Sequence, residues 1–289
     1  MAYLLKEKYD YHILGLTVDN GFLGTTAKKN IKHIVNALNI DHVMLKPRQD
    51  LFPKIYSYNL LHPKFYQEKN EEIGYVSTTC HSCTTSMHSI MQNYAAKNNI
   101  PAIALAYSPD QIEYHFYKIP EKELKNQPWY PRGLETEFFT ESDRELFWNP
   151  KNHPKNTLIP HVYFPFHVLP YPGSHAIQAI LSEKKILKKG SANPIKSNCI
   201  MNILLIYLDQ KRLGYNSYSG SISYQIRNGY YKKRHWIFFF LFFELGVKSG
   251  LYRHVIMGRK IDRLLQKLHL SMDDILTAPP SKQPKTKSP

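Results

Sequence analysis

The first 108 residues alternate between short apolar runs and stretches of helical periodicity, and this alternation limits the fold more than any other feature. The run YHILGLTV (Tyr11 to Val18) reads as a strand that ends in the turn sequence DNG. Behind it, TTAKKNIKHIVNALN puts Ala27, Ile31, Ile34, Val35 and Leu38 on one helical face, with Thr25 or Thr26 as N-cap. DHVMLK is a second strand, stopped by Pro47. A polar, aromatic-rich stretch follows. The next helix is expected over CTTSMHSIMQNYAAKNN, with Met87, Ile90, Met91, Tyr94 and Ala95 on one face. IPAIALAYS (Ile100 to Ser108) is then a third strand, apolar enough to be buried on both sides. Strand, helix, strand, helix, strand predicts an α/β fold with a doubly wound, mostly parallel sheet.

The remainder reads differently. From Tyr114 to about Pro172, prolines and aromatics crowd together without a clean period, as in NQPWYPRGLETEFF, which predicts a loop-rich insertion or the wall of a cleft. Helices resume in HAIQAILSEKKIL and in NCIMNILLIYLDQKRLG, whose apolar stripe is Ile200, Ile203, Leu204, Tyr207 and Leu208 and whose stop is Gly214. GRKIDRLLQKLHLSMDDIL adds one or two short helices, and PPSKQPKTKSP is too rich in Pro and Lys to fold. WIFFFLFFELG (Trp236 to Gly246) is about half the length needed to span a bilayer; it is expected in the core, although YYKKRHW before it leaves a membrane-surface role open. No stable membrane insertion is expected.

Two strand ends are polar: Asp19, Asn20 and Gly21, and then Ser108, Asp110 and Gln111. Ligands of open parallel sheets bind beyond such ends, and these residue types suit a nucleotide, although they are also ordinary turn residues. The chain has three cysteines among 289 residues, too few for a disulfide framework, which together with the absence of a recognisable leader predicts a reducing, cytoplasmic setting. Cys80 and Cys83 form a CxxC with Cys83 expected in the first turn of its helix, and Cys199 precedes another helix that Ser197 or Asn198 would cap. Helix N-termini lower thiol pKa values, and thiolates bind soft metals. Zinc or an iron–sulfur cluster, a redox or sulfur-relay pair, and three unrelated thiols are all open on spacing alone. The 14 histidines, His81, His88, His161 and His167 among them, show no metal-ligand spacing, and no G-x-S-x-G, Walker A or G-x-G-x-x-G motif is present. The net charge of +15 favours polyanionic or phosphate-bearing partners.

LGLTVDNG with the helix after it, CHSC at a helix, and NNIPAIALAYSPDQ together resemble the PP-loop superfamily of N-type ATP pyrophosphatases, most closely its tRNA-thiolation branch. SNCIMNILLIYLDQKRLGYN adds weaker likeness. The resemblance covers roughly residues 1–112. It implies a Rossmann-like, adenine nucleotide alpha hydrolase-like fold and an ATP- and Mg2+-dependent adenylation of a substrate carbonyl, followed by attack of sulfur on the activated carbon. It places Asp19 near the adenosine, Ser108 to Gln111 near the phosphates, and Cys80, Cys83 and Cys199 at a catalytic sulfur site or a metal or iron–sulfur centre. It implies tRNA and a sulfur donor as partners. The alternative within the superfamily is an amidotransferase acting on a sugar, which would need a glutaminase subunit and use its cysteines structurally, for instance around zinc. The family's SGGxDS phosphate loop does not occur here, so a catalytically inactive remnant or a gene fragment is a third expectation. The domain organisation expected on this basis is an α/β core over 1–113 without its first strand, an aromatic and proline-rich segment over 114–175, a helical part over 176–276 and a disordered basic tail over 277–289.

Overall fold

The apolar run at Leu14–Val18 forms strand β1, and Asp41–Leu45 forms β2 beside it; the two pair in parallel, with Leu14 opposite Asp41 and Val18 opposite Leu45. The computed structural model of the protein describes residues 1–64, 74–108, 118–119, 121–188, 190–192 and 198–279. Between the strands runs α1 (Thr25–Leu38), entered from an extended Gly24 rather than from a capping threonine and closed by a left-handed Asn39. Its expected face faces inward at both ends, Ala27 and Leu38 being buried.

After β2 comes α2 (Leu51–Leu61), which lies in the aromatic-rich stretch where periodicity gave no helix. Its Pro53 falls in the first turn, where no intrahelical N–H is needed, so the proline is tolerated. Nearly every side of this helix is covered, with Phe52, Ile55, Tyr56 and Leu60 all buried, which removes the amphipathic signal. The third helix, α3 (Gly74–Lys97), starts nine residues before the expected start at Cys83. Its first turns, YVSTTCHSC, are small and polar, yet Thr78, Thr79 and Ser82 are buried. Two of the three hydroxyls are served locally or by a neighbour, Thr78 donating to Gly74 O at 2.6 Å and Ser82 to Asn59 Oδ1 at 3.1 Å, while Thr79 Oγ1 is buried without a partner among the described residues. A helix covered on nearly every side, with small polar residues among the buried ones, has no stripe for periodicity to detect.

β3 is short, Ala102–Ala104, and its parallel partner β4 (His161–Tyr163) comes from the segment expected to be loop-rich. Two two-stranded parallel sheets therefore replace the single doubly wound sheet among the described residues. The fold is mixed α/β, but mostly helical. The expectation that β3 is buried on both sides is also corrected: Ala102 and Ala104 are exposed, because β3 has one neighbour where a central strand has two. The rest of the proline-rich segment carries α4 (Glu121–Asn126) and α5 (Glu141–Arg144), the latter held by a capping box between Thr140 and Asp143. Around Trp148 a small second core gathers Ala96, Leu105, Leu124, Val162 and Phe164.

The C-terminal half contributes α6 (Ser174–Glu183), α7 (Asn202–Leu213), α8 (Ser219–Arg227), α9 (Lys233–Lys248), α10 (Gly258–Leu268) and α11 (Met272–Thr277). Gly214 ends α7 in the left-handed region, as its position predicts, whereas Ile200 lies before the helix and is exposed. α3 packs against α2, α7, β1 and β3, so it is the central helix. One apolar cluster runs from Val18 and Phe22 through Ile55, Leu204 and Leu208 to Ile261 and Ile275. The run Trp236 to Gly246 is helical within α9, but only Trp236, Phe243 and Gly246 are buried, so its placement wholly in the core is corrected. Among the described residues no helix is long and apolar enough to cross a membrane. Residues 280–289 of the tail fall outside the described residues.

Candidate thiol site at the end of the first strand

The DNG turn after β1 is built by its own side chains. Asp19 Oδ1 accepts from Gly21 N at 3.0 Å, Asn20 Oδ1 accepts from Phe22 N at 2.9 Å, and Gly21 adopts φ +76°, which favours glycine. Asp19 also pairs with Lys28 at 2.9 Å; that bond and the Gly21 amide outweigh desolvation and hold its carboxyl below the usual carboxylate range. Lys267 arrives from α10, donating to Gly21 O at 2.5 Å with its ammonium 4.1 Å from the centre of the Phe22 ring.

With its Oδ1 on the turn, Asn20 is left with its amide pointing inward. Its Nδ2 donates to Tyr56 Oη at 2.8 Å and lies 3.4 Å from Cys83 Sγ, while Tyr56 Oη and Cys83 Sγ are 3.0 Å apart. All three residues are buried. The segment before α7 closes the other side: Leu23 and Cys199 form an antiparallel bridge, with Ile200 N donating to Phe22 O at 2.9 Å and Gly24 N to Asn198 O at 2.8 Å. Tyr56 Oη also hydrogen-bonds Cys199, and the Met201 and Asn202 amides at the start of α7 point at the same sulfur. Cys80, one turn from Cys83 and on the same face of α3, donates to Asn202 Oδ1 at 4.0 Å. Cys83 and Cys199 are thus joined by one tyrosine hydroxyl and through Asn20 to the end of β1, with Cys80 reaching the same region through Asn202.

Electrostatically the site keeps Cys83 and Cys199 as neutral thiols. The expected lowering of the Cys83 pKa is corrected: Cys83 lies in the middle of α3, away from its N-terminus, and burial pushes its thiol up despite hydrogen bonds from Tyr56 and Asn20. Cys199 does receive amides from a helix start, yet burial and the neighbouring Cys83 win and push it to about 12. The expected cap is also corrected. Met201 occupies the N-cap of α7 without a side-chain bond, so Asn198 does not cap it, and Ser197 lies outside the described residues. Burial raises the Tyr56 phenol well above its usual value.

The second strand end lies close by. Tyr107, beyond β3, is pushed up to about 12 by burial and by Cys83 and Cys80, and its hydroxyl is 3.0 Å from His88 Nε2. Ser108 is buried next to it, while Asp110 and Gln111 lie outside the described residues. Tyr56, Asn202, Tyr107 and Tyr218 are the contributors that no motif marked; Tyr218 joins the site through a hydrogen bond with Asn202.

The donor set is chemically right for zinc or an iron–sulfur cluster, three soft sulfurs with two amides beside one of them. Among the described residues, however, no group of three His, Cys, Asp or Glu is arranged to hold a metal ion. The Tyr56 hydroxyl hydrogen-bonds Cys83 and Cys199 instead. Comparison of the chain with family models, with curated proteins and with solved structures finds no match.

Proposed function

We propose that the protein is a PP-loop-like enzyme component in which Cys80, Cys83 and Cys199 form one sulfur site serving ATP-dependent activation of a carbonyl, with a tRNA base as substrate. The observation that carries this reading is the hydrogen-bonded path from Asn20 at the end of β1, through Tyr56, to Cys83 and Cys199. A strand end is where a nucleotide binds in parallel α/β folds, and here it is linked to Cys83 and Cys199.

In such a reaction the carbonyl oxygen attacks the α-phosphorus of ATP and pyrophosphate leaves. A sulfur nucleophile then attacks the activated carbon and AMP departs. Zinc or a cluster held by Cys80, Cys83 and Cys199 would supply a soft, thiolate-stabilising centre. In its absence burial keeps Cys83 and Cys199 protonated, so these thiols are guarded from adventitious oxidation. Lys28 and Lys267 put positive charge beside the Gly21 turn, which suits a phosphate-bearing substrate.

The test is the metal and sulfane-sulfur content of protein reconstituted anaerobically with iron and sulfide or with zinc, compared between the native chain and Cys199→Ser. Bound metal or sulfur that is lost in Cys199→Ser, with the thermal unfolding transition retained, is the expected result. Equal content in the two proteins removes Cys199 from the site, and a native chain that takes up neither metal nor sulfur overturns the reading. Stoichiometric zinc without iron or sulfane sulfur would favour the amidotransferase alternative.

A further inference from the structure

One side of α9 faces the core through Trp236, Phe243 and Gly246, and the other faces solvent. On the open side Ile237, Phe238, Leu241, Phe242 and Leu245 are exposed by 44, 48, 51, 71 and 61%, and their spacing makes one stripe along the helix. The next turns extend it with Leu251, Val255 and Ile256, exposed by 48, 72 and 54%. Isolated exposed apolar side chains are ordinary, but eight in one continuous surface mark a place that binds something.

The charge around the stripe says what. Lys232, Lys233 and Arg234 stand exposed at the start of α9 and Lys248 at its end, with Arg259 and Lys260 exposed on the neighbouring α10. The acids beside them are already engaged: Glu244 with Lys248 at 2.5 Å and Asp262 with Arg253 at 2.7 Å. A second copy of the chain would bring these basic clusters against one another, with the chain's +15 charge repeated on both sides. A surface that offers apolar depth and negative charge together answers both features.

We propose that α9 and the turns after it dock on the surface of an anionic lipid bilayer. The helix lies in the interface with Phe238, Leu241, Phe242 and Leu245 among the acyl chains and the lysines and arginines at the headgroups. It does not span, being too short and too charged at its ends. This inference is independent of the thiol site.

Flotation of the full chain with phosphatidylcholine vesicles and with mixed phosphatidylcholine and phosphatidylglycerol vesicles tests it. Binding to the anionic vesicles alone, weakened by high salt, is expected. Phe238→Ser combined with Phe242→Ser should weaken it about tenfold or more, and Lys232→Gln with Lys233→Gln about fivefold per charge. Since all four positions are exposed, the unfolding midpoint of each variant should match that of the native chain. Equal binding to both vesicle types, binding that survives both double variants, or no binding at all overturns the proposal. So does self-association in sedimentation that the phenylalanine variant abolishes, which would assign the stripe to a second copy.

Discussion

Tyr56 does more in the thiol site than any single cysteine, because one hydroxyl serves Asn20, Cys83 and Cys199 at once. No pattern in the sequence marks it: it is one of 21 tyrosines, in a stretch with no helical stripe. The cysteines were legible, since a CxxC and a third thiol before a helix are rare enough to stand out. Their state was not, because burial depends on what the chain packs over them. His88 teaches the same lesson and gives a measurable consequence. Burial, with a smaller contribution from His81, lowers its pKa from 6.5 to about 4. A histidine whose folded value is depressed stabilises the fold fully above its unfolded value, and that stability is lost as pH falls from 6.5 toward about 4. At about 1.4 kcal/mol per unit the loss is at most about 3 kcal/mol, since the ring keeps some contact with water. Denaturant unfolding across this range should show the decline, and His88→Phe should flatten it while losing the Tyr107 bond. An unchanged slope in that variant would place the acid lability on another group.

Helix α3 shows how one element sets the position of the site. Its N-terminus is held by α7: Asp209 accepts from Tyr75 N at 2.5 Å, from Val76 N at 3.0 Å and from Ser217 Oγ. Gly74 precedes with φ +93°, and a Cβ there would lie 2.8 Å from Asp209 Oδ1, so both the backbone conformation and the contact favour glycine. Asp209 therefore fixes α3, with Cys80 and Cys83, against the helix that follows Cys199. Asp209→Ala leaves two buried amides without their acceptor and should cost about 2 kcal/mol. Hydrogen exchange at Tyr75 and Val76 should accelerate in that variant ahead of the rest of α3. Uniform exchange along the helix would mean that Asp209 is no clamp. α1 and α7 were legible because each has an apolar face and a recognisable stop, whereas α2 and the first turns of α3 were not, because helices covered on all sides carry no periodicity.

Across the whole molecule, 38 basic side chains against 23 acidic ones leave a net charge of +15 on the helices and the two parallel strand pairs. With tRNA as the proposed substrate, binding should weaken steeply with salt. Each phosphate contact contributes about −0.7 to −0.9 to the slope of log K against log salt, so a slope steeper than about −3 is expected in a filter-binding series. A flat response would remove the polyanion from the reading. Local composition and periodicity determined the mixed α/β character, the placement of β1, β2 and most helices, the turn at Asp19 to Gly21 and the candidacy of the three cysteines. These follow from propensities that act over a few residues. Tertiary structure decided that β3 pairs with a strand some sixty residues on, that one tyrosine hydroxyl joins Cys83 and Cys199, that burial keeps those two thiols neutral, and that the aromatic helix opens one face to solvent. Each of these depends on residues far apart in the chain excluding water from one another, and burial of that kind has no local signature.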